Sequence, residues 1–275
     1  MVHGTRVPSS LLFEIPRVRE ILPLMGPGAL SEPAEQEIAL SHLGIIVALT
    51  GEARSLTKDP IPNAELIHLP DGTMLNVSGV GPKRAAVASR TLLEKGATAL
   101  LSWGSAGGLA PRLPPGSLIL PKTVIASNQS LYHVDAVWHN SLCNRLEGHV
   151  DFHTEPLVES TMVARTSGEK MMLFRETGAI GVDMESATVA NVAQEARVPF
   201  MVVRAIADST DTPIPDSALN AVDELGRLSF LKLIQGLAEH PTELFALVRI
   251  ARNYRAAQRT LATVARLIGN NLLGP

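Results

Sequence analysis

The sequence contains almost no cysteine: Cys143 is the single one among 275 residues. One thiol cannot close an intramolecular disulfide or build a zinc or iron-sulfur site that needs several cysteines. This usage fits a reducing compartment, and an inert, at least partly buried thiol is the simplest interpretation of Cys143. We therefore expect the hydrophobic core, and not disulfide cross-links, to stabilise the fold.

A strong excess of either charge is also missing. Lys and Arg number 24 against 27 Asp and Glu, for a formal net charge of -3. Without a basic surplus, nucleic acid is a disfavoured partner. Hydrophobic residues make up 45% of the chain, and a chain of this length can bury about three quarters of its unfolded surface. The composition predicts a soluble, globular protein.

Long hydrophobic runs are absent as well. No segment reaches the roughly 18 apolar residues of a membrane span. The first 25 residues carry charges such as Arg6, Glu14 and Arg17 where a signal peptide needs an apolar stretch. We expect a cytoplasmic protein. Residues 1–40 are rich in Pro, Gly, Ser and Glu and are interpreted as an N-terminal extension of the fold.

What the sequence does contain is an alternation of buried strands with helices. Continuous apolar runs of strand length occupy residues 43–49, 98–103 and 199–207, and residues 117–126 and 179–182 also favour extended structure. The predicted helices begin at Pro82, follow Asp135 and cover residues 169–177 and 185–197. The alternation predicts an α/β fold: a single three-layer α/β/α domain with a mixed, largely parallel central sheet.

Local signals refine this outline. Asp71-Gly72 favours a hairpin between residues 65–69 and 73–77. A catalytic domain over residues 41–228 is predicted, followed by a C-terminal helical extension over residues 229–275.

The extension contains an amphipathic, basic helix from Thr242 to about Ile268. Its apolar residues follow a heptad-like spacing: Leu244, Leu247, Ala251, Tyr254, Gln258, Leu261, Val264 and Ile268. We interpret this face as docked on the domain or on a second subunit. A peripheral membrane contact through the helix is the alternative.

Four chemistry-bearing segments follow predicted strands. Glu52 comes after the first strand, and Gly79 to Gly81, Ser105 to Gly108 and Asp208 come after later ones. Ligands of open parallel sheets bind outside the carboxyl ends of the strands. Glycine loops can present backbone N–H groups to an anion or a hydroxylated ligand, although glycine also serves turns for conformational reasons alone. These segments are expected to share one edge of the sheet.

Other uses of the same residues are disfavoured. A dinucleotide site lacks its third glycine, because Arg84 stands there, and the next strand ends at Trp103 without an acidic residue. His149 and His153 lack a further partner at metal-ligand spacing, so no metal is predicted. Ser105 has no His or carboxylate beside it in the sequence to mark it as a nucleophile.

An acidic segment, Val182-Asp183-Met184-Glu185-Ser186-Ala187, opens the helix after residue 182. Helix capping alone could explain it. Together with the segment around Asp208, however, it resembles the superfamily of purine nucleoside phosphorylases and methylthioadenosine/S-adenosylhomocysteine nucleosidases. The strings that carry the resemblance are GIIVA at 44–48 with Glu52, SGVG at 78–81, GSAGGLAP at 104–111, VDMESAT at 182–188 and VPFMVVRAIAD at 198–208.

The resemblance implies cleavage of the N-glycosidic bond of a purine nucleoside. Asp208 would protonate the purine, and Glu52 would activate water. The implied substrate-binding residues are Glu185, which would bind the ribose hydroxyls, and Met184, Ser105, Ala106, Gly107 and Asp183. Gly79, Gly81 and Ser105 would form the site for phosphate or water. The resemblance implies no cofactor apart from inorganic phosphate as a co-substrate, and it implies a homo-oligomer.

The C-terminal segment resembles the branch of the family associated with hopanoid biosynthesis, which removes adenine from adenosylhopane. At two places in the expected site this sequence departs from the pattern of the family. Val163 and Ala164 stand where the nucleosidases carry a phenylalanine that stacks on the purine, and Ser102-Trp103 stands where the bacterial phosphorylases carry an arginine. A phosphate site would then need other cations, such as Lys83 or Arg84.

Three functions stay open from the sequence. The first is phosphorolysis of a 5'-substituted adenosine, with adenosylhopane preferred. The second is hydrolysis of methylthioadenosine or S-adenosylhomocysteine, which Glu52 favours. The third, from another class, is a nucleoside-binding protein without catalysis.

Overall fold

The structure, a computed structural model, describes residues 42–58, 61, 66–111, 113–211 and 244–269. The predicted extension over residues 1–40 lies outside the described residues. So does the predicted boundary between residues 228 and 229.

Helices and strands alternate over most of the described chain. The strands are β1 (Leu43–Val47), β2 (Leu66–His68), β3 (Met74–Val77), β4 (Ala99–Gly108), β5 (Leu118–Ile119), β6 (Thr123–Ile125), β7 (Leu131–His133), β8 (Phe152–His153), β9 (Leu157–Glu159), β10 (Gly181–Asp183) and β11 (Phe200–Asp208). The helices are α1 (Thr50–Ala53), α2 (Pro82–Glu94), α3 (Ala136–Leu146), α4 (Ser167–Thr177), α5 (Ser186–Ala196) and α6 (Leu244–Ile268).

The sheet is mixed, and its centre is parallel, as the apolar runs predicted. β1 lies between β3 and β4 and is parallel to both. β11 is parallel to β4 along nearly its whole length. Beyond β4 the sheet continues through β10, β9, β6 and β7, while β5 and β8 extend it from β11. The central strands read as unbroken apolar runs because helices cover both faces of the sheet.

The helices form two layers. α2 and α5 pack on each other and on the sheet, and α6 packs on β11, β4 and α3. The predicted three-layer α/β/α fold with a C-terminal helix is therefore confirmed. The hairpin signal is confirmed as well, since β2 and β3 are antiparallel across Asp71-Gly72. Asp135 caps α3 by accepting a hydrogen bond from the N–H of Trp138 at 2.8 Å.

The predicted glycine loop after residue 103 is wrong. Residues Gly104 to Gly108 continue β4, because β11 pairs with residues 104–107 on one side and β10 pairs with Gly107 and Gly108 on the other. The glycines allow close approach rather than a turn: a Cβ on Gly107 would lie 3.2 Å from the side chain of Val182.

Helix α6 docks on the domain through the C-terminal part of the predicted face. Leu261, Val264 and Ile268 are buried, whereas Leu244 and Ala251 are exposed. The heptad-like face is therefore wrong at Leu244 and Ala251, whereas Leu247 and Tyr254 are half-buried. No helix among the described residues combines the length and apolarity that a membrane span requires.

Candidate active site

A pocket of about 280 Å³ lies at the edge of the sheet where β1, β4 and β11 end. It brings together eight of the predicted site residues: Glu52, Ser105, Ala106, Gly107, Asp183, Met184, Glu185 and Asp208. Gly79 and Gly81 are not among its lining residues, and Val80 between them is. The prediction that these segments share one sheet edge is thus realised in the geometry.

Glu52 lies in the single turn α1 directly after β1, and its side chain is buried. Oε2 accepts hydrogen bonds from the N–H groups of Ala48 at 3.1 Å and Leu49 at 3.0 Å. Oε1 accepts from both the N–H and the hydroxyl of Ser105, each at 2.7 Å. Four donors therefore fix this carboxylate at the wall of the pocket, which is the arrangement a buried charge requires.

Gly104 leaves room for this carboxylate. A Cβ at position 104 would lie 2.8 Å from Cδ and from both carboxylate oxygens of Glu52. Any larger residue would displace Glu52. Trp103 beside it is fully buried and donates a hydrogen bond from Nε1 to the hydroxyl of Ser55 at 2.9 Å, so it supports the turn that carries Glu52.

Glu185 lies in the acidic segment, directly before α5, and is buried at the floor of the pocket. Its Oε1 accepts a hydrogen bond from the N–H of Gly81 at 2.7 Å. Gly81 has φ +103°, a conformation that glycine adopts without strain, so it can aim this N–H at the carboxylate. Burial, together with the nearby charge of Asp183, raises the pKa of Glu185 to about 8. The predicted glycine loop thus positions a site residue instead of lining the cavity.

A buried ion pair lies behind Glu185. The Nε of Arg204 donates to Asp183 at 2.7 Å, and its Nη2 donates to the hydroxyls of Ser102 at 2.7 Å and Ser186 at 3.0 Å. Asp183 also accepts weak hydrogen bonds from the N–H groups of Glu185 and Ser186. The pair therefore fixes the chain at the start of α5 and with it the position of Glu185.

Glu159 completes the acidic surroundings of this helix start. It accepts hydrogen bonds from the N–H of Thr188 at 2.7 Å and from its hydroxyl at 3.1 Å. Burial raises the pKa of Glu159 to about 7. Since Glu159 bonds the first turn of α5, it has a structural role there.

Asp208 is the last residue of β11 and is largely buried at the pocket wall. The ammonium of Lys170 donates hydrogen bonds to Oδ2 of Asp208 and, at 2.9 Å, to the carbonyl of Ser209. Burial raises the pKa of Asp208 above its ordinary value, and Lys170 opposes that shift. A carboxyl group of this kind can hold a proton more readily than an exposed aspartate and can still release it.

The opposite wall of the pocket is apolar. Val163 and Ala164, which stand where the resemblance leads one to expect an aromatic side chain, line it together with Met162. Met162 is 76% exposed and Val163 is 38% exposed, so both are open to a ligand. They give the pocket an apolar rim next to its acidic floor.

The structure does not place the alternative cations at the pocket. Lys83 and Arg84 lie in the first turn of α2 and are not among the lining residues. The described residues that line the pocket include four carboxylates but no lysine or arginine. Within the part of the chain that the structure describes, no group of three or more His, Cys, Asp or Glu side chains is arranged to hold a metal ion.

Sequence reasoning missed two residues of the site. Arg204 interrupts the apolar run of β11, and a charge inside a buried strand signals a buried partner. Lys170 gave no comparable signal, because lysine is common on helices and its direction depends on how α4 packs.

Comparisons with known proteins agree with this geometry. The acidic pocket lies where ligands of open α/β sheets bind, and the family match gives the class of protein. The sequence model of the Phosphorylase superfamily matches residues 71–237. The chain belongs to this superfamily, which confirms the resemblance and the prediction that it is an enzyme.

Two relatives from Buchnera aphidicola are 5'-methylthioadenosine/S-adenosylhomocysteine nucleosidases. The one from the subspecies Baizongia pistaciae is 27% identical over 176 residues, which cover 57% of this chain and 68% of that protein. The one from the subspecies Acyrthosiphon pisum is 25% identical over 154 residues, 49% of this chain and 66% of that protein. In the second case the match spans slightly less than two thirds of the relative.

Two solved structures share the fold at lower identity. The nucleosidase of the same name from Neisseria meningitidis, in complex with methylthio-immucillin-A, gives a TM-score of 0.61 at 17% identity and covers 83% of this chain and 99% of that one. Futalosine hydrolase of Helicobacter pylori gives 0.59 at 16% identity, with 82% and 98% covered. These two similarities establish the fold alone.

Proposed function

We propose that this protein cleaves the N-glycosidic bond of a 5'-substituted adenosine. The observation that carries the proposal is that Asp208, Glu185 and Glu52 line one pocket. The nucleosidase relatives support the same reaction. The largely buried carboxyl of Asp208 beside the ammonium of Lys170 favours this reaction over nucleoside binding without catalysis.

The chemistry of bond cleavage fits these three groups. As the bond breaks, the sugar gains oxocarbenium character and the purine gains negative charge, so both ends need stabilisation. Asp208 protonates the purine, a contribution of roughly 10²- to 10⁴-fold. Glu185 accepts hydrogen bonds from the ribose hydroxyls, and Met184 packs against the sugar.

Water is the nucleophile that the pocket favours. Phosphate is an anion at neutral pH, and the described lining residues include no lysine or arginine that could bind it. Glu52 is rigidly held and can orient and deprotonate a water molecule. Phosphorolysis is the second candidate: it rests on the C-terminal resemblance to the hopanoid-associated branch, with inorganic phosphate as the co-substrate.

The 5'-substituent is proposed to be apolar. Leu49, Val80, Met162 and Val163 line the pocket together with Met184. A methylthio group or a larger hydrocarbon would bury these side chains from water. Adenosylhopane falls in this class and is the substrate that the C-terminal resemblance favours.

Product analysis with and without phosphate tests the proposal. The parent protein is incubated with 5'-methylthioadenosine, S-adenosylhomocysteine and a 5'-alkyl adenosine, and adenine and the sugar product are identified by mass spectrometry. We expect adenine and the free sugar at the same rate in both buffers. Strict dependence on phosphate, with a sugar 1-phosphate as product, would replace hydrolysis by phosphorolysis. No adenine from any of the three compounds would contradict the proposed reaction.

Membrane contact, a homo-oligomer and a cytoplasmic location stay predictions. Phe245 is 84% exposed and Val248 is 59% exposed in the first turns of α6. If α6 contacts a membrane while it remains docked, Phe245→Asp should lower flotation with anionic liposomes and Arg249→Gln should lower it less. Sedimentation equilibrium of the parent protein measures the oligomeric state.

A further inference from the structure

A lysine occupies the buried position of an otherwise exposed or half-buried helix. Lys170 is 1% exposed and is the buried residue of α4, Ser167–Thr177. Burying an ammonium costs several kcal/mol unless it is paired and hydrogen-bonded. Lys170 meets both conditions at the pocket, because it donates to the carboxylate of Asp208 and to the carbonyl of Ser209.

The structure holds the lysine there firmly. Thr166 and Glu169 form a reciprocal capping box at the start of α4, and Gly178 ends the helix with φ +68°. Leu173 and Phe174 of α4 pack against buried core residues, and this packing sets the rotation of the helix and therefore the direction of the Lys170 side chain. The ammonium therefore reaches Asp208 as a consequence of helix placement and not of a flexible surface contact.

We propose that Lys170 is a positioning residue that orients the Asp208 carboxyl and stabilises the carboxylate left after Asp208 has given its proton to the departing purine. The proposal rests on the proposed function, in which Asp208 is the general acid. The O–H bond of Asp208 breaks as the N–H bond of the purine forms. The electron pair of the glycosidic C–N bond passes to the purine. The sugar accepts the oxygen of a water molecule, and the proton that this water loses passes to Glu52. Lys170 keeps its own protons throughout.

The charges around Asp208 are consistent with this division of roles. Burial favours the protonated carboxyl, and the adjacent ammonium favours the ionised one. The other titratable groups among the described lining residues are Glu52 from α1, Asp183 at the end of β10 and Glu185 at the start of α5. Arg204 lies on the same strand as Asp208 and pairs with Asp183. The arrangement therefore combines a carboxyl that burial helps to keep protonated with a cation that compensates the charge it acquires.

The pH profile of three variants tests the proposal. Lys170→Met removes the ammonium and keeps an unbranched side chain of similar length, Lys170→Arg keeps the charge, and Arg175→Met removes an exposed charge from the same helix as the control. In Lys170→Met we expect the alkaline limb of kcat to move up by about 1 to 3 pH units. We also expect the maximal kcat to fall at least tenfold. Lys170→Arg should return the limb towards the parent value, and Arg175→Met should change neither quantity.

A titration that needs no turnover separates this proposal from the proposed function. The pKa of Asp208 is followed by NMR with ¹³C-labelled aspartate, and Asp208→Asn identifies the signal. A rise of about 1 to 3 units in Lys170→Met supports the pairing even if no adenosine is cleaved. An unchanged pKa, or a fall in kcat with an unmoved alkaline limb, would overturn the proposal.

The thermal stability of a double variant tests whether Lys170→Met is destabilised by loss of the ion pair. Removing both partners leaves no unpaired buried charge, so Lys170→Met with Asp208→Asn should unfold at a higher temperature than Lys170→Met alone. Equal or lower thermal stability of the double variant would contradict an ionic contact between the two residues.

Discussion

Replacing Gly104 by alanine tests whether the position of the Glu52 carboxylate determines the rate. The added Cβ would lie 2.8 Å from three atoms of that carboxyl group, whereas ordinary van der Waals contact begins at 3.4 Å. Glu52 must then retreat by about half an ångström, since overlap at the shorter distance is strongly repulsive. The retreat would stretch the two 2.7 Å hydrogen bonds from Ser105.

The size of the effect follows from this displacement. A misplacement of about 1 Å at a reacting group can cost on the order of 100-fold in rate. We therefore expect kcat/KM for adenine release to fall about 10- to 100-fold in Gly104→Ala, which is about 1.4 to 2.7 kcal/mol of transition-state stabilisation. Gly168→Ala is the matched control, because its Cβ would have its nearest neighbour, Thr166 Oγ1, at 3.9 Å.

The comparison also has a direct refutation. Suppose that a crystal structure of Gly104→Ala shows Glu52 displaced but kcat/KM stays within twofold of the parent value. The position of Glu52 then does not set the rate. The double variant with Glu52→Gln should be little slower than Glu52→Gln alone, because both changes act on one group. Multiplicative losses would point to damage elsewhere.

Three further predictions concern stability. Arg204→Met leaves Asp183 buried without its cation and should lower the free energy of unfolding in urea by about 3 to 5 kcal/mol; a loss below about 1 kcal/mol would contradict the buried pair. The pKa of Glu185 is about 8 in the folded protein and 4.5 in the unfolded chain. Between these two pH values the folded protein binds the extra proton, so the free energy of unfolding should fall as the pH rises, by about 5 kcal/mol at most. Glu185→Gln should flatten that slope, and an equally steep slope would contradict the assignment. Leu261→Ala in the docked face of α6 should lower the free energy of unfolding by about 2 to 5 kcal/mol. Leu267 is 36% exposed, so Leu267→Ala should lower it far less. Equal effects of the two variants in thermal unfolding would argue against docking.

Local signals allowed much of the fold to be predicted. The apolar runs identified the central strands, Asp71-Gly72 identified the hairpin, and Asp135 identified the start of α3. Each signal depends on residues close together in sequence. The end of β4 could not be predicted in this way, because glycines that favour turns become strand where β10 and β11 pair with them.

Some residues of the candidate site could be predicted from local sequence in the same way, and others could not. Glu52, Glu185 and Asp208 follow strands or open helices, and strand ends of an α/β sheet meet at predictable places. Lys170 and the hydrogen bond from Gly81 to Glu185 depend on how distant elements pack. For these the sequence offers a residue type but no direction, so the structure was needed.

Adenine release by the parent protein and Asp208→Asn tests the central claim most directly. Asp211→Asn is the matched control, since Asp211 is exposed and lies three residues further along the chain. We predict that kcat for a 5'-substituted adenosine falls roughly 10²- to 10⁴-fold in Asp208→Asn and stays at the parent value in Asp211→Asn. A folded Asp208→Asn variant that releases adenine at the parent rate would contradict the account.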